Sequence, residues 1–415
     1  MSYVTGYKCT LCHQVFVPEA IEYTCPDCGE KGILDVLYDY KKIKQVLTKE
    51  SLANNPDTSI WRYLPLLPLE STHLEKTLKV GGTPLYKSEG LREVLGLKSL
   101  YIKDDGLNPT ASLKDRASVI AVVKALELGK TTIACSSTGN AASSLAGNAA
   151  RVGLKTVIFV PERAPIGKLT QLLIYDATVV SVKGDYGATF GLSKQAIDHY
   201  GWYNRNAAIN PLMVEGKKTV ALEIAEQLAF IIPNWVVVSV GDGCTIGGVY
   251  KGFYDLKQIG LIDQIPKILG VQAEGCAPIH KAFHSGKPLE PAEENTLADS
   301  ISVGIPRNPV KALNAAKASG GSYVTVTDDE ILSAMALLGR TEGIFGEPAG
   351  VTGVAGIIKA KEAGIISDKD CVVTVITGNG LKDVTNGMKA SGDPIKIGPD
   401  LASFIQKYEP NEAED

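Results

Sequence analysis

The chain has 415 residues, enough for about two to three domains at roughly 150 residues each. With 42 Lys and Arg against 46 Asp and Glu the net charge is −4, which excludes the basic excess of a dedicated nucleic-acid binder. Hydrophobic residues make up 45% and charged residues 21%, which excludes a chain disordered throughout. No apolar run reaches the ~18 residues of a membrane helix. The start, Met1-Ser2-Tyr3-Val4, lacks the basic-then-apolar pattern of a secretory signal, so a cytoplasmic protein without membrane contact is expected. Glycine is high, at 42 residues, and four of the eight cysteines lie within the first 28 positions.

Those four, Cys9, Cys12, Cys25 and Cys28, form two C-x2-C knuckles. Two knuckles present four thiolates to one ion, the pattern of a closed, structural Zn2+ site. A zinc-ribbon-like module over 1–32 is expected, with Pro26, Asp27 and Gly29 as turn residues of the second knuckle. Only Lys8 lies near the first knuckle, too little basic charge to make the ribbon a nucleic-acid module. Cys135, Cys244, Cys276 and Cys371 are scattered and read as small core residues.

Residues 33–105 are mixed in pattern and contain Ile60-Trp61-Arg62-Tyr63 and the turn Gly81-Gly82-Thr83-Pro84. Beyond them, β-branched runs alternate with helical stretches. Strands are expected at Thr131–Cys135, Thr156–Val160 and Thr178–Val182, spaced for one crossover helix each. A second series comprises Trp235–Val240, Ile268–Val271, Tyr323–Val326 and Cys371–Thr377, with helices over Lys217–Ala229, Asp328–Arg340 and Val351–Ala363. Two such series predict two α/β domains with a cleft between them. Residues 406–415 read as an acidic, frayed tail.

Four segments carry candidate chemistry. In Asn108-Pro-Thr-Ala-Ser-Leu-Lys114-Asp-Arg116, Ser112 is a candidate N-cap with Asp115 three residues on, for a helix running to about Leu128. Lys114 then lies in the first turn, where the positive helix end favours the neutral amine that a nucleophile requires. Cys135-Ser136-Ser137-Thr138-Gly139-Asn140-Ala141 joins a strand to a small-residue helix and offers an anion site. In Gly241-Asp242-Gly243-Cys244-Thr245, glycines let backbone amides close on a phosphate. There Asp242 is compatible with phosphate only if its side chain turns away or caps a neighbouring amide. Thr377-Gly-Asn-Gly380 repeats the strand-then-glycine pattern, with Thr377 at the carboxyl end of its strand. No nucleotide P-loop or G-x-G-x-x-G pattern is present. A nucleophilic lysine with two anion cradles suits pyridoxal 5′-phosphate.

These segments, with Glu215-Gly-Lys-Lys-Thr219 and Glu347-Pro-Ala349, resemble the threonine synthase family of pyridoxal-phosphate enzymes. The cysteine ribbon and the Ile60-Trp-Arg-Tyr stretch are similar to some bacterial and archaeal members. The resemblance spans essentially the whole chain. It implies an α/β fold of type II, tryptophan-synthase-β-like, in two domains. A large cofactor domain would comprise 33–105 and 206–405, and a small mobile domain 106–205. It implies that Lys114 is the Schiff-base lysine, that Asn140 bonds the cofactor's phenolic oxygen, and that Gly241 to Thr245 wrap its phosphate. Thr377 would face the pyridine nitrogen, and Ser137, Thr138, Gly139 and Asn140 would hold the small amino-acid substrate. The implied reaction converts O-phosphohomoserine and water to threonine and phosphate; a homodimer is also implied.

The chain departs from the family pattern where the substrate phosphate should bind. Met213 stands where many members have Arg, Ala207 and Ala208 where they have polar residues, and Ala141 where they have Thr; the usual Phe before the lysine is Leu113. Arg205 and Lys217 are cations that could take the missing role. The departures open a second reading, a related β/γ-replacement or elimination enzyme acting on a different amino acid. A non-catalytic zinc-ribbon protein on a degenerate scaffold is a third, opposed by the intact Lys114 and loops.

Overall fold

The computed structural model describes residues 2–162, 166–184 and 186–408. Among these, the strands in chain order are β1 (Val4–Cys9), β2 (Val15–Phe16), β3 (Leu34–Tyr38), β4 (Leu85–Lys87), β5 (Ser99–Asp104), β6 (Thr132–Ser136), β7 (Lys155–Pro161), β8 (Thr178–Val182), β9 (Tyr203–Asn204), β10 (Trp235–Ser239), β11 (Lys267–Ala273), β12 (Ser322–Val326) and β13 (Cys371–Ile376). They form three sheets, ordered β2-β1-β3, β12-β11-β10-β13-β5-β4 and β8-β7-β6-β9. The first is antiparallel; it takes its third strand from beyond residue 32. In the second, only the β4–β5 pairing is antiparallel. The third is parallel throughout.

All seven expected strands are present, Thr178–Val182 with the expected bounds and the others displaced by one or two residues at an end. Runs such as Val236-Val237-Val238 and Val372-Val373 are buried on both faces, as parallel strands covered by helices must be. The anticipated helices are Leu212–Gln227, Asp328–Glu342 and Pro348–Glu362. Strand β5 escaped the reading because it ends in Lys103-Asp104, a charged pair that masks an inner strand. Lys103 is fully buried and its ammonium meets Glu223 at 2.7 Å.

One expectation is overturned. Ser112 does not cap the helix Lys114–Glu127: the cap position is Leu113, itself helical, with no side-chain cap bond. Asp115 reaches backwards instead, accepting from the Thr110 amide and hydroxyl, both at 2.7 Å. The start of the helix is held by its neighbour strand, with the Leu113 amide donating to the Thr377 carbonyl at 2.9 Å. Of the tail expected at 406–415, residues 409–415 lie outside the described residues.

Candidate active site

The carboxyl ends of β5, β6, β9, β10 and β13 lead into segments that contribute to one site, where open α/β sheets place ligands. A cavity of about 810 Å3 collects Lys114, Ser137 to Ala141, Arg205 to Ile209, Lys217, Gly241 to Ile246 and Thr377. Every cofactor- and substrate-site residue singled out from the sequence lines it. Met213 does not: it is fully buried in the main core, so the position where the resemblance led us to expect an Arg is not part of this cavity wall.

Lys114 opens its helix and is brought beside Thr377 by a short antiparallel bridge, Ser112 to Gly378, reinforced by the Asn379 amide donating to Ala111 at 3.1 Å. Burial disfavours its charged form and the Lys217 ammonium adds to that, holding the amine at about 8 against the pull of Glu347. Desolvation and a second lysine, rather than the helix end, are the main causes of the depression. Thr377 follows β13 directly and is buried.

Asn140 begins the helix Asn140–Val152 and its Nδ2 donates to Glu347 Oε1 at 2.7 Å. A primary amide has two donor hydrogens, so one remains for a ligand. Burial raises Glu347 to about 7, although Lys114 and Lys382 oppose the shift. Gly378 accommodates this carboxylate: a Cβ there would stand 2.3 Å from Glu347 Oε1. Glu347 also lines a smaller cavity of about 180 Å3 that shares Thr138, Gly139 and Asn140 with the main one. On its wall Lys382 donates to Ser143 Oγ at 3.1 Å and Gln171 Oε1 at 3.0 Å. Glu347 and Asn140 each stand out in the sequence, but the contact between them, across 207 residues, does not.

Loop 241–245 has the form that an anion cradle needs. Gly243 sits at φ +88° before the helix Cys244–Gln258, and a Cβ there would lie 2.5 Å from the Asn308 carbonyl oxygen. The question posed by Asp242 is resolved: its Oδ1 accepts from the Arg307 amide at 2.7 Å, so the carboxylate caps a neighbouring segment. At Gly139, at the start of the opposite helix, a Cβ would meet no other segment of the described residues within 4 Å. Arg205 is buried, and its Nε and Nη2 donate to Ser118 Oγ at 3.2 and 3.1 Å. Asn206, which sequence reasoning passed over, accepts from the Ser136 amide at 3.0 Å, while its Nδ2 has no partner among the described residues. A reactive lysine, a glycine cradle at a helix start and unsatisfied donors fit a phosphorylated aldehyde cofactor.

In the N-terminal module, the sulfurs of Cys9, Cys12, Cys25 and Cys28 all lie within 4.8 Å of one another. Such a cluster is compatible with four-thiolate coordination.

The family of pyridoxal-phosphate dependent enzymes matches residues 76–378, and the chain belongs to it. Within that family it groups with the threonine synthases. It is 41% identical to the threonine synthase of Methanocaldococcus jannaschii over 397 residues, covering 95% of this chain and 97% of that one. Against the threonine synthase of Methanosarcina acetivorans the identity is 41%, over 94% and 95% of the two chains. Against that of Mycobacterium tuberculosis it is 35%, over 81% and 92%. Among solved structures, threonine deaminase isoform 2 from Solanum lycopersicum aligns with a TM-score of 0.66 at 22% identity, over 81% of this chain and 95% of its own. Maize serine racemase aligns at 0.62 and 21%, over 80% and 92%. At those identities the alignments show the fold alone, the type II, tryptophan-synthase-β-like α/β fold. Among the described residues, no helix is long and apolar enough to cross a membrane.

Proposed function

We propose that this chain converts O-phosphohomoserine and water to threonine and phosphate. The observation that carries the reading is the convergence of Lys114, the Ser137–Asn140 turn, the Gly241–Thr245 cradle and Thr377 on one cavity. The relatives at 41% identity over nearly the whole chain favour it over replacement chemistry on a different amino acid.

When bound, pyridoxal phosphate supplies an electron sink for carbanions of the amino acid. Lys114 would hold its aldehyde carbon, and the same amine would carry protons to and from the substrate carbons. A lowered pKa suits both tasks, since far more of the amine is then neutral near neutral pH than for an ordinary lysine. Gly241, Asp242, Gly243, Cys244 and Thr245 offer backbone amides to the cofactor phosphate. Asn140 offers its free amide hydrogen to the phenolic oxygen, with Glu347 fixing the orientation. Thr377 offers a hydroxyl to the pyridine nitrogen. Ser137, Thr138 and Gly139 bind the substrate carboxylate, and Arg205 adds positive charge to the substrate side.

The four-cysteine module is proposed to hold a structural Zn2+. The segment 106–205 is proposed as a small lobe that closes over 33–105 and 206–405, shielding reactive species from water. A cytoplasmic homodimer is proposed from the resemblance.

The test is a substrate screen on the purified, cofactor-loaded protein. Threonine and phosphate should appear together from O-phosphohomoserine. Turnover of another amino acid, with none of O-phosphohomoserine, would remove the threonine synthase reading and leave the cofactor reading standing.

A further inference from the structure

The cavity wall carries more positive charge than it neutralises. Lys114, Arg205 and Lys217 all line it, and among the described residues no carboxylate lies within ion-pair range of any of them. Of the acids on this wall, which are Asp242, Glu294 and Asp299, Asp242 accepts from the Arg307 amide at 2.7 Å and Glu294 from the Gly304 amide at 2.8 Å, and Asp242 acts on Lys217 only through space. Lys217 stands out when set beside its neighbour. Lys218 is buried between two carboxylates, Glu215 at 2.5 Å and Asp255 at 2.6 Å. Lys217 is 2% exposed and has neither a carboxylate nor a hydrogen-bond acceptor among the described residues. Its stem is clamped by close helix packing, because a Cβ at Gly248 would be 3.0 Å from Lys217 Cβ. A buried ammonium without a counter-ion is costly, and the cost is relieved when an anion arrives. Asn206 Nδ2, on the same cavity wall, is a second buried donor without a partner. A dianion with several acceptor oxygens answers both needs.

We propose that Lys217 is the cation that receives a phosphate monoester in this cavity, with Asn206 Nδ2 as a neutral donor of the same subsite. The proposal rests on the function proposed above, which supplies two sources of such an ester, the cofactor and the substrate. It also accounts for Met213, since the positive charge is provided from the next turn of the same helix rather than from position 213.

The experiment compares the full-length protein with Lys217→Gln and Lys217→Arg. In one arm, cofactor-free protein is titrated with pyridoxal phosphate and with pyridoxal, which lacks the phosphate, followed by visible absorbance. In the other, the KM for O-phosphohomoserine and the inhibition constant of inorganic phosphate are measured on the cofactor-loaded protein. Loss of a charge-assisted contact should weaken binding by about tenfold or more in Lys217→Gln, with Lys217→Arg recovering most of it. Weakening confined to pyridoxal phosphate, with pyridoxal unchanged, assigns the subsite to the cofactor. Weakening confined to O-phosphohomoserine and inorganic phosphate assigns it to the substrate. Should Lys217→Gln fail to fold, Lys217→Met keeps the apolar stem and removes the charge. The proposal is overturned if a folded, charge-free variant stays within about twofold of wild type in both arms, or if pyridoxal weakens as much as its phosphate. Failure of wild type to turn over O-phosphohomoserine would sink the proposed reaction alone, because the cofactor titration and phosphate binding still read Lys217.

Discussion

At the scale of single residues, Lys114 combines position and environment. It is the first residue of its helix, its amine is held at about 8 chiefly by burial and by Lys217, and the cavity opens onto it. Attack on an aldehyde needs the neutral amine. The rate of cofactor attachment should therefore climb with pH and level off above about 8; stopped-flow absorbance after mixing cofactor with cofactor-free protein measures it. A plateau displaced to the ordinary lysine range would remove the electrostatic account. Lys114→Ala should abolish turnover while leaving the circular dichroism spectrum and thermal midpoint near wild type. Met213 makes the opposite point. The sequence comparison marked it as a lost phosphate donor, yet it sits in the hydrophobic core away from the cavity. Met213→Arg should not improve substrate binding and should destabilise by about 3–5 kcal/mol through an unpaired buried charge. A lowered KM at unchanged stability would contradict that placement.

At the scale of elements, the helix Leu212–Gln227 organises the site's back wall. It carries Lys217 toward the cavity and, on other faces, charges that are fully compensated. Glu223 receives Arg116 Nη1 at 2.6 Å and Lys103 Nζ at 2.7 Å. Burial alone would raise its pKa; the two cations override this and hold it at about 2. A carboxylate depressed in the folded state contributes stability above its unfolded pKa, and that contribution is lost as pH falls from about 4.5 toward about 2. Glu223→Ala should cost about 3–5 kcal/mol at neutral pH by stranding Arg116 and Lys103. The difference from wild type in denaturant midpoint should shrink below pH 4, and a pH-independent difference would count against the ion-pair account.

This helix also explains part of the glycine excess. The glycines of the loop 241–245, at 241 and 243, are joined by Gly216, Gly248 and Gly252, where a Cβ would come within 2.2, 3.0 and 2.5 Å of a neighbouring helix. Composition pointed to ligand loops; close helix packing was invisible to it because both demands read as the same letter. The cysteine module is likewise more than an appendage. Ile33, directly after it, packs with Ala208, Val214 and Cys244, and the module's own Tyr23 hydroxyl receives the Asn204 amide at 3.1 Å. Lys311 reaches back to the Leu34 carbonyl at 2.7 Å. Cys9→Ser should lower the thermal midpoint by several degrees and reduce turnover less, as calorimetry and steady-state assays would report. Lost turnover with full zinc retention would reverse that assignment.

At the scale of the whole molecule, the parallel sheets were legible because βαβ spacing and doubly buried valine runs follow from chain connectivity. The carboxyl ends of those strands lead into the turns at 137–140, 241–245 and 377, and these turns line one cavity. What stayed hidden depends on contacts between distant segments. Strand β5 is charged at its end because its partner Glu223 comes from 120 residues away, and Asn140 meets Glu347 across 207. Local pattern cannot register either. The central claim is that Lys114, rather than the second lysine in the cavity, is the reactive amine of a pyridoxal-phosphate site. Borohydride reduction of the cofactor-loaded protein, followed by peptide mass mapping, tests it most directly. The pyridoxyl label is expected on Lys114 alone; a label on Lys217, or on a lysine outside the cavity, would contradict the account.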